Sequence, residues 1–402
     1  MTSDSSLILW RKLLLEANPN CPWASEMVLN PGVVEDNKSG RLHMLFRATG
    51  PTEERGLPGT PPPFPIYLGY AWSDDRGKTW EADWSRPAYA PKLAMKESEI
   101  VTQNVWGESC VDYSNGCVED PRMFWMEGEC YVLVACRVFP PGPYWLHDEP
   151  TQCAPAWAKD PATTKLGKAA TENVTVNVLL KVDLELLAAR EYDRAFSYVS
   201  HLTDPHYGEN RDVILFPEKI KNAQGEMVYM MLHRPWKPSL FLPDEEGTPP
   251  SILSAEAKDL RELATAKATH HMVCEPVFNW ESNRIGASGP LVKIGEHDWL
   301  LSYHGKRNQE EGYTQSFIIL STASGVPTVT HRCPERIMYP VESWEQPGKF
   351  KSPVIFITGM IEVDGQLLVS YGAADERVGI AMLDLEKVLT TVRGYDAQGV
   401  RV

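Results

Sequence analysis

The chain has 402 residues, of which 43% are hydrophobic, so it can bury a sizeable core and is not expected to be disordered. Its formal net charge of −15 argues against a nucleic acid or an anionic membrane surface as a partner. Thirteen tryptophans are many for this length, and large aromatic planes suit strand-rich cores and sugar-binding clefts.

The first residues do not read as an export signal, because their apolar run is short and a charged pair interrupts it. Eight cysteines without a CxxC pair are therefore expected to be reduced thiols in the cytoplasm, not a disulfide framework or a zinc site. Residues 7–16 are helix-prone, so residues 1–20 are predicted as a possible helical N-terminal extension, which could serve as an interface between copies of the chain.

Strand-like runs recur along the whole chain with Gly, Pro, Asp or Asn between them. The nine clearest cover 41–49, 65–72, 130–139, 176–184, 228–235, 299–305, 316–322, 354–363 and 366–374. Residues 139–175 are predicted as a long surface loop, and residues 251–272 as a helix because of their apolar spacing. No linker divides the chain, so we expect one all-β domain over residues 1–402.

Two local patterns indicate repeated blades. Residues 73–80 (SDDRGKTW) fit the S-x-D-x-G-x-T-W pattern of an Asp-box, a hairpin turn in which Asp75 caps backbone N–H groups and Gly77 takes a positive φ. Residues 181–187 (KVDLELL) resemble residues 382–389 (MLDLEKVL), and each segment follows a predicted strand. Both observations are typical of a β-propeller.

The sharpest chemical motif is residues 118–122 (VEDPR), where Pro121 biases Asp120 towards an extended backbone and holds an acidic pair beside Arg122. Further motifs follow in order: 210–219 (NRDVILFPEK), 232–235 (LHRP), 280–286 (WESNRIG), 303–305 (YHG) and 371–375 (YGAAD). Together they resemble glycoside hydrolase family 130, which includes β-mannoside phosphorylases and β-1,2-mannosidases. The resemblance runs from about residue 30 to residue 384.

The resemblance implies a five-bladed β-propeller with a few short helices and loop insertions, and an active site in its central cavity. It implies that Asp120 is the general acid, whose proton passes through a sugar hydroxyl to the leaving oxygen. Asn30, Arg47, Arg122 and Asp375 match positions expected to bind the sugar. It implies no metal or organic cofactor.

A phosphorylase must hold inorganic phosphate, its co-substrate, opposite the leaving group, and this requires cations. The motif positions that carry them in the family hold Arg211, Arg234 and Arg284, with His304 nearby. Arginine can bind phosphate oxygens through two hydrogen bonds. The sequence therefore favours an inverting phosphorylase that converts a β-mannoside and phosphate to a sugar 1-phosphate.

Two other functions stay open. An inverting hydrolase would use Asp120 with a base drawn from Glu275, Glu281 or Glu345, and a non-catalytic sugar-binding propeller would leave Asp120 idle. The proline-rich run 57–65 and the long stretch 137–211 depart from compact members of the family, so the acceptor sugar is not specified. The donor sugar need not be mannose either, because relatives include arabinofuranose-cleaving enzymes.

Overall fold

The computed structural model describes residues 7–51, 66–141, 153–162 and 164–402. The proline-rich run 57–65 lies outside these residues. Strand β1 covers Ile8–Leu15. The first complete sheet, blade 1, contains β2 (Met27–Glu35), β3 (Leu42–Thr49), β4 (Ile66–Ser73) and β5 (Glu81–Asp83). A small hairpin of β6 (Val101–Gln103) and β7 (Ser109–Val111) follows it.

The next two sheets form blades 2 and 3. Blade 2 contains β8 (Cys117–Met126), β9 (Glu129–Arg137), β10 (Val176–Val182) and β11 (Phe196–His201). Blade 3 contains β12 (Asn210–Leu215), β13 (Ile220–Lys221), β14 (Met227–Pro235), β15 (Ile252–Ala257) and β16 (Thr269–Cys274).

The last two sheets form blades 4 and 5. Blade 4 contains β17 (Arg284–Ala287), β18 (Val292–Lys293), β19 (Asp298–Lys306), β20 (Tyr313–Ser321) and β21 (Thr328–Arg332). Blade 5 contains β22 (Ile355–Val363), β23 (Gln366–Ala373) and β24 (Arg377–Asp384), and β1 pairs with β24 as its outermost strand. The five antiparallel sheets form the predicted five-bladed propeller.

Helices are few and short in the described residues. The α-helices are α1 (Lys168–Thr171), α2 (Leu184–Ala188), α3 (Tyr192–Ala195) and α4 (Leu385–Arg393). Single 3₁₀ turns cover Pro22–Ala24, Glu97–Glu99, Tyr113–Asn115, Ala156–Lys159, Pro205–Tyr207, Pro238–Leu240, Leu260–Glu262, Asn279–Glu281 and Ser343–Glu345. Within the described ranges, none is both long and apolar enough to cross a membrane.

Most of the secondary-structure predictions are confirmed. All nine strand-like runs form strands. In the Asp-box turn, Asp75 Oδ1 accepts the backbone N–H of Thr79 at 2.8 Å, and Gly77 has φ 83°. The internal repeat is also real, because Asp183 and Asp384 cap helices α2 and α4, which follow the third strands of blades 2 and 5.

The predicted helix over residues 251–272 is wrong. These residues form β15, most of β16 and one intervening turn. Every residue of β15 is buried between β14 and β16, so its residues do not alternate between apolar and polar as those of a half-exposed strand would.

The N-terminal helix prediction is wrong for residues 8–15, because these form β1 and pair with β24. Residues 1–6 of that prediction lie outside the described residues. Register shifts between Ile8 and Trp10 and between Leu13 and Leu15 break the period-two alternation, which explains the helix-like spacing. A free helical interface is therefore absent from residues 7–15.

The predicted surface loop over residues 139–175 is wrong for much of its described part. Its small side chains, including Ala154, Ala158 and Ala169, are buried in the core shared by blades 1 and 2, because alanine permits close packing. Residues 142–152 and 163 of this stretch lie outside the described residues. Three other residues of the predicted loop line the central cavity, namely Pro141, Thr171 and Asn173.

Candidate active site

A central cavity of about 690 Å³ lies where the innermost strands of the blades meet. Its charged lining consists of five arginines and six carboxylates. The structure brings seven of the nine predicted site residues into this lining, namely Asn30, Arg47, Asp120, Arg211, Arg234, Arg284 and Asp375. Arg122 and His304 do not line it.

In three innermost strands, a residue with a positive φ at a β-bulge points its polar side chain into the cavity. Asn30, Asp120 and Asp212 have φ values of 47°, 53° and 58°, and each lies where the register of its strand shifts in blades 1, 2 and 3. The extended backbone predicted for Asp120 is therefore wrong, because the bulge outweighs the effect of Pro121. Bulges re-aim side chains, and Asn and Asp tolerate positive φ better than most residues do. Such backbone strain clusters at functional sites.

Asp120, the predicted general acid, is 92% buried and accepts two hydrogen bonds on one oxygen. Asn30 Nδ2 donates to Asp120 Oδ1 at 2.7 Å, and Arg47 Nη1 donates to the same oxygen at 3.2 Å. Residues from blades 1 and 2, 90 positions apart in sequence, therefore hold the carboxyl group at the cavity wall.

Alternating charges extend from Asp120 around one side of the cavity. Arg47 Nη1 lies 3.2 Å from Glu119 Oε2, and Arg137 lies between Glu119 and Glu209 at 3.9 and 3.7 Å. Arg211 Nε donates to Glu209 Oε1 at 2.5 Å. Burial opposes ionisation of both glutamates, but the guanidinium groups outweigh it and lower the pKa of Glu209 to about 2.

Two of the predicted phosphate-binding arginines face each other across adjacent strands. Arg211 lies directly opposite Arg234 in the register of β12 and β14. Arg234 Nε donates to Asp212 Oδ2 at 2.7 Å, so the guanidinium is oriented by a buried carboxylate. Burial opposes ionisation of Asp212, yet the neighbouring cations hold its pKa well below its usual range.

Arg122 and His304 lie behind the cavity wall, where both contact Asp212. Arg122 Nη2 is 3.3 Å from Asp212 Oδ1, and His304 Nε2 is 3.3 Å from Asp212 Oδ2. Ser288 supports both, since its carbonyl accepts from Arg122 Nε at 2.7 Å and its hydroxyl lies 3.0 Å from His304 Nδ1. In the structure both side chains therefore contact Asp212 and Ser288 behind the cavity lining, and the sugar contact of Arg122 and the phosphate contact of His304 stay predictions.

Arg284 lies between two aromatic rings at the cavity wall. Its guanidinium is 5.2 Å from the Trp236 ring centroid and 5.4 Å from that of Tyr313, and its Nε donates to the Tyr313 hydroxyl at 2.9 Å. Trp236 is 47% exposed, so its indole retains solvent-accessible surface beside this cation. An exposed, positioned indole is suited to packing against the C–H face of a sugar.

Asp375 also has a positive φ and a perturbed carboxyl group. Burial raises its pKa to about 6, and repulsion from Asp120 adds to the shift. Lys306, opposite Arg284 in the register of β17 and β19, has its pKa lowered to about 8 by burial and by that guanidinium. These two groups titrate nearer to neutrality than their unperturbed counterparts.

None of the three predicted bases for a hydrolase lies in the cavity lining. Glu281 is fully buried and accepts the backbone N–H groups of Val277 and Phe278 at 2.7 and 3.0 Å. Glu345 is equally buried in a similar turn, whereas Glu275 is exposed. The prediction that one of them activates water is therefore wrong.

Several lining residues were missed by the sequence reasoning, among them Glu119, Arg137, Glu209, Asp212 and Trp236. Asp212 follows Arg211 in the quoted 210–219 motif, and its place there matches that of Asp120 in the 118–122 motif. Aligning the innermost strands on their bulges would have found it. Glu209 and Arg137 carry no comparable signal, because only the packing of blades 2 and 3 brings them together.

The fold and the cavity define a five-bladed propeller whose centre combines a positioned carboxyl group with several arginines. The model of one carbohydrate-active family, described as beta-1,4-mannooligosaccharide phosphorylase, matches residues 158–394. The chain belongs to this family, glycoside hydrolase family 130. The matched segment contains Arg211, Arg234, Arg284 and Asp375, whereas Asp120 precedes it.

Curated relatives come from Thermoanaerobacter sp. (strain X514). A 1,2-beta-oligomannan phosphorylase is 30% identical over 180 residues, which are 44% of this chain and 52% of the relative. A beta-1,2-mannobiose phosphorylase is 38% identical over 109 residues, 27% of this chain and 35% of the relative. The chain thus aligns with about half or less of the length of these relatives.

Solved structures confirm the fold over nearly the whole chain. Beta-1,2-mannobiose phosphorylase from Listeria innocua has a TM-score of 0.60 at 18% identity and covers 95% of this chain and 93% of its own. MPT-4, a mannose phosphorylase from Leishmania mexicana solved with a phosphate ion, has a TM-score of 0.52 at 13% identity, with 99% and 92% coverage.

Proposed function

We propose that the protein is an inverting glycoside phosphorylase that cleaves β-mannosides with inorganic phosphate. The observation that carries this proposal is that Asp120 and three arginines predicted to bind phosphate, Arg211, Arg234 and Arg284, line one cavity. The named activities of the curated relatives, which act on β-1,2-mannosides, support the same substrate class.

In this reaction, a phosphate oxygen forms a bond to C1 of the non-reducing sugar as the bond from C1 to the bridging oxygen breaks. Asp120 supplies a proton to that leaving oxygen, and the arginines hold the phosphate on the opposite face of the sugar. One in-line displacement inverts the anomeric centre, so a β-mannoside gives an α-sugar 1-phosphate. Asn30, Arg47 and Asp375 are proposed to lie beside the sugar.

Glu119, Glu209 and Asp212 do not favour water as the nucleophile. Their pKa values are lowered by paired arginines, although burial opposes the shift, so their oxygens are weak bases. Asp375 differs, because burial raises its pKa to about 6, near the range that suits a general base. Hydrolysis with Asp375 as the base is therefore the second candidate function.

The test is the phosphate dependence of cleavage. We would incubate the purified protein with β-1,2- and β-1,4-mannobiose, with and without phosphate, and follow α-mannose 1-phosphate by ³¹P NMR. A phosphorylase gives this product only with phosphate and loses it in Asp120→Asn. Release of free mannose at an equal rate without phosphate, lost in Asp375→Asn, would establish the hydrolase instead.

The arginines have their own test. Because a hydrogen bond to a charged group contributes about 1.5–3 kcal/mol, we expect Arg211→Met and Arg284→Met each to raise the KM for phosphate at least ~10-fold. Arg336→Met is the matched control, since Arg336 is solvent-exposed and pairs with Glu311 outside the cavity. An unchanged KM for phosphate in both cavity variants would contradict the assignment.

We also propose that the protein works in the cytoplasm. All eight cysteines are free thiols, and seven of them are buried, which suits a reducing compartment. Fractionation of cells that express the protein would test this, and recovery outside the cytoplasm would contradict it.

A further inference from the structure

The two hydrogen bonds to Asp120 converge on a single oxygen. Asn30 Nδ2 and Arg47 Nη1 both donate to Oδ1, at 2.7 and 3.2 Å. Turning the Asn30 amide over would set its oxygen against the Asp120 carboxylate, so the donor orientation is the stable one. Among the described residues, no hydrogen bond reaches Asp120 Oδ2, and Asp120 lines the cavity.

The unequal hydrogen bonding of the two carboxyl oxygens decides which of them can carry the proton of Asp120. An oxygen that already accepts two N–H groups cannot also carry a hydrogen without setting one hydrogen against another. We propose that Asn30 is a positioning residue that keeps the proton of Asp120 on Oδ2, the oxygen available to the bound sugar. This inference rests on the proposed role of Asp120 as general acid, and it replaces a direct sugar contact as the function of Asn30.

Asn30 is fixed in place by blade 5, although it belongs to blade 1. The carbonyl of the next residue, Pro31, accepts hydroxyl groups from Thr358 at 3.0 Å and from Ser370 at 2.7 Å. These two buried bonds fix the bulge that gives Asn30 its φ of 47°. The amide therefore reaches Asp120 from a backbone that blade 5 holds.

Gly372 completes this support. A Cβ at Gly372 would lie 1.8 Å from Asn30 Oδ1, closer than two nonbonded heavy atoms can approach. Only glycine leaves room for the amide where it donates to Asp120. A methyl group there would push Asn30 away from Asp120 without removing any functional group from the cavity.

The test compares two leaving groups. A sugar leaving group needs a proton from Asp120, whereas 4-nitrophenolate is a good leaving group without one. General acid catalysis contributes ~10²–10⁴-fold, so we expect Asn30→Gly and Gly372→Ala to lower kcat on β-1,2-mannobiose about 10²-fold. On 4-nitrophenyl β-mannoside the same two variants should stay within about 3-fold of wild type.

The choice of two variants separates an effect on the position of the Asp120 proton from general damage to the fold. Glycine accepts the positive φ of Asn30, so Asn30→Gly removes the amide without straining the backbone. Gly379→Ala is the matched control in blade 5, since its Cβ would meet the Tyr371 ring at 2.5 Å and not the Asn30 amide. We expect Gly379→Ala to leave the ratio of kcat on β-1,2-mannobiose to kcat on 4-nitrophenyl β-mannoside at its wild-type value.

If Asn30→Gly lowers kcat equally on both substrates, the proposal is wrong and Asn30 is a sugar-binding residue. A wild-type enzyme that uses water in place of phosphate would overturn the phosphorylase function alone, because the acid serves the leaving oxygen in either reaction. A wild-type enzyme that cleaves neither substrate would overturn both.

Discussion

Arg11, in the first strand of the chain, forms a buried ion pair with Glu345, which lies just before the last innermost strand. Arg11 Nη1 is 3.0 Å from Glu345 Oε2, and both side chains are almost fully buried. Glu345 also accepts the Tyr371 hydroxyl at 2.7 Å and the backbone N–H of Val341 at 2.8 Å. The ion pair therefore joins β1 to blade 5, the sheet that β1 completes.

Blade 4 contains the same arrangement within a single run of sequence. Glu281 accepts two backbone N–H groups in its turn and pairs with Arg332 of the outer strand β21. Trp280 packs 5.6 Å from Tyr303, as Trp344 packs 6.1 Å from Tyr371 in blade 5. A Trp-Glu turn, a tyrosine and an arginine thus tie the outer strand to the inner part of both blades.

We expect Arg11→Met to destabilise the protein by about 3–5 kcal/mol, because it leaves the buried Glu345 carboxylate without its cation. Urea denaturation measures this, and Arg332→Met provides the comparison within one blade. A loss below ~1 kcal/mol in Arg11→Met would show that this ion pair contributes little to holding β1 in blade 5.

Asp212→Asn should also destabilise the fold by about 3 kcal/mol, since Arg122 and Arg234 are buried and would lose their shared carboxylate. Asn tolerates the φ of 58°, so the backbone adds little to this loss. Asp193→Asn is the surface control, because its pair with Arg86 is exposed and should contribute less than ~1 kcal/mol. Equal effects of the two variants on the unfolding midpoint would refute this account.

Asp375 should make stability depend on pH in the acidic range. Its pKa is raised to about 6 by burial, so between pH ~4 and ~6 the unfolded chain loses this proton before the folded one does. Folding therefore becomes less favourable as the pH rises through this window, and the penalty persists above it. Asp375→Asn removes the penalty.

Because Asp375 keeps partial solvent contact, we expect the variant to gain ~1 kcal/mol over wild type at pH 7 and nothing at pH 3.5. Thermal unfolding at a series of pH values measures the difference. A gain that is the same at both pH values would contradict the titration of this group.

Trp236→Ala should weaken binding of oligosaccharides at the cavity wall. Loss of the indole face removes a sugar-packing surface worth about 1 kcal/mol, so the KM for β-mannotriose should rise ~5-fold. Trp236→Phe keeps an aromatic ring and should retain most of the affinity. A rise in the KM for phosphate alone would show that Trp236 acts only through Arg284.

The fold was predictable because at least one strand of every blade can be recognised from its local sequence. The nine apolar runs, the Asp-box around Asp75 and the repeated capping Asp183 and Asp384 each depend on neighbours in sequence. The helix assigned to residues 251–272 failed for the opposite reason, since only β14 and β16 decide that residues 252–257 form a buried central strand.

The candidate site was predictable in its residue types and less so in its geometry. Motifs identified Asp120 and the arginines, but the sequence does not reveal that Arg122 and His304 lie behind Asp212. It also hides the contact between Gly372 and Asn30, which lie more than 300 residues apart. Such relationships arise only when the ring of blades closes.

Because Asn30, Asp120 and Asp212 share a positive φ, only a few residue types can replace them without backbone strain. Asn, Asp and Gly tolerate this conformation, and the codons for Asp differ from those for Asn and for Gly by one base. A single nucleotide change can therefore convert the carboxyl group of Asp120 or Asp212 to an amide or a bare backbone, and the amide of Asn30 to a carboxyl group. The cavity can change its charge in three places while the propeller around it keeps the same backbone.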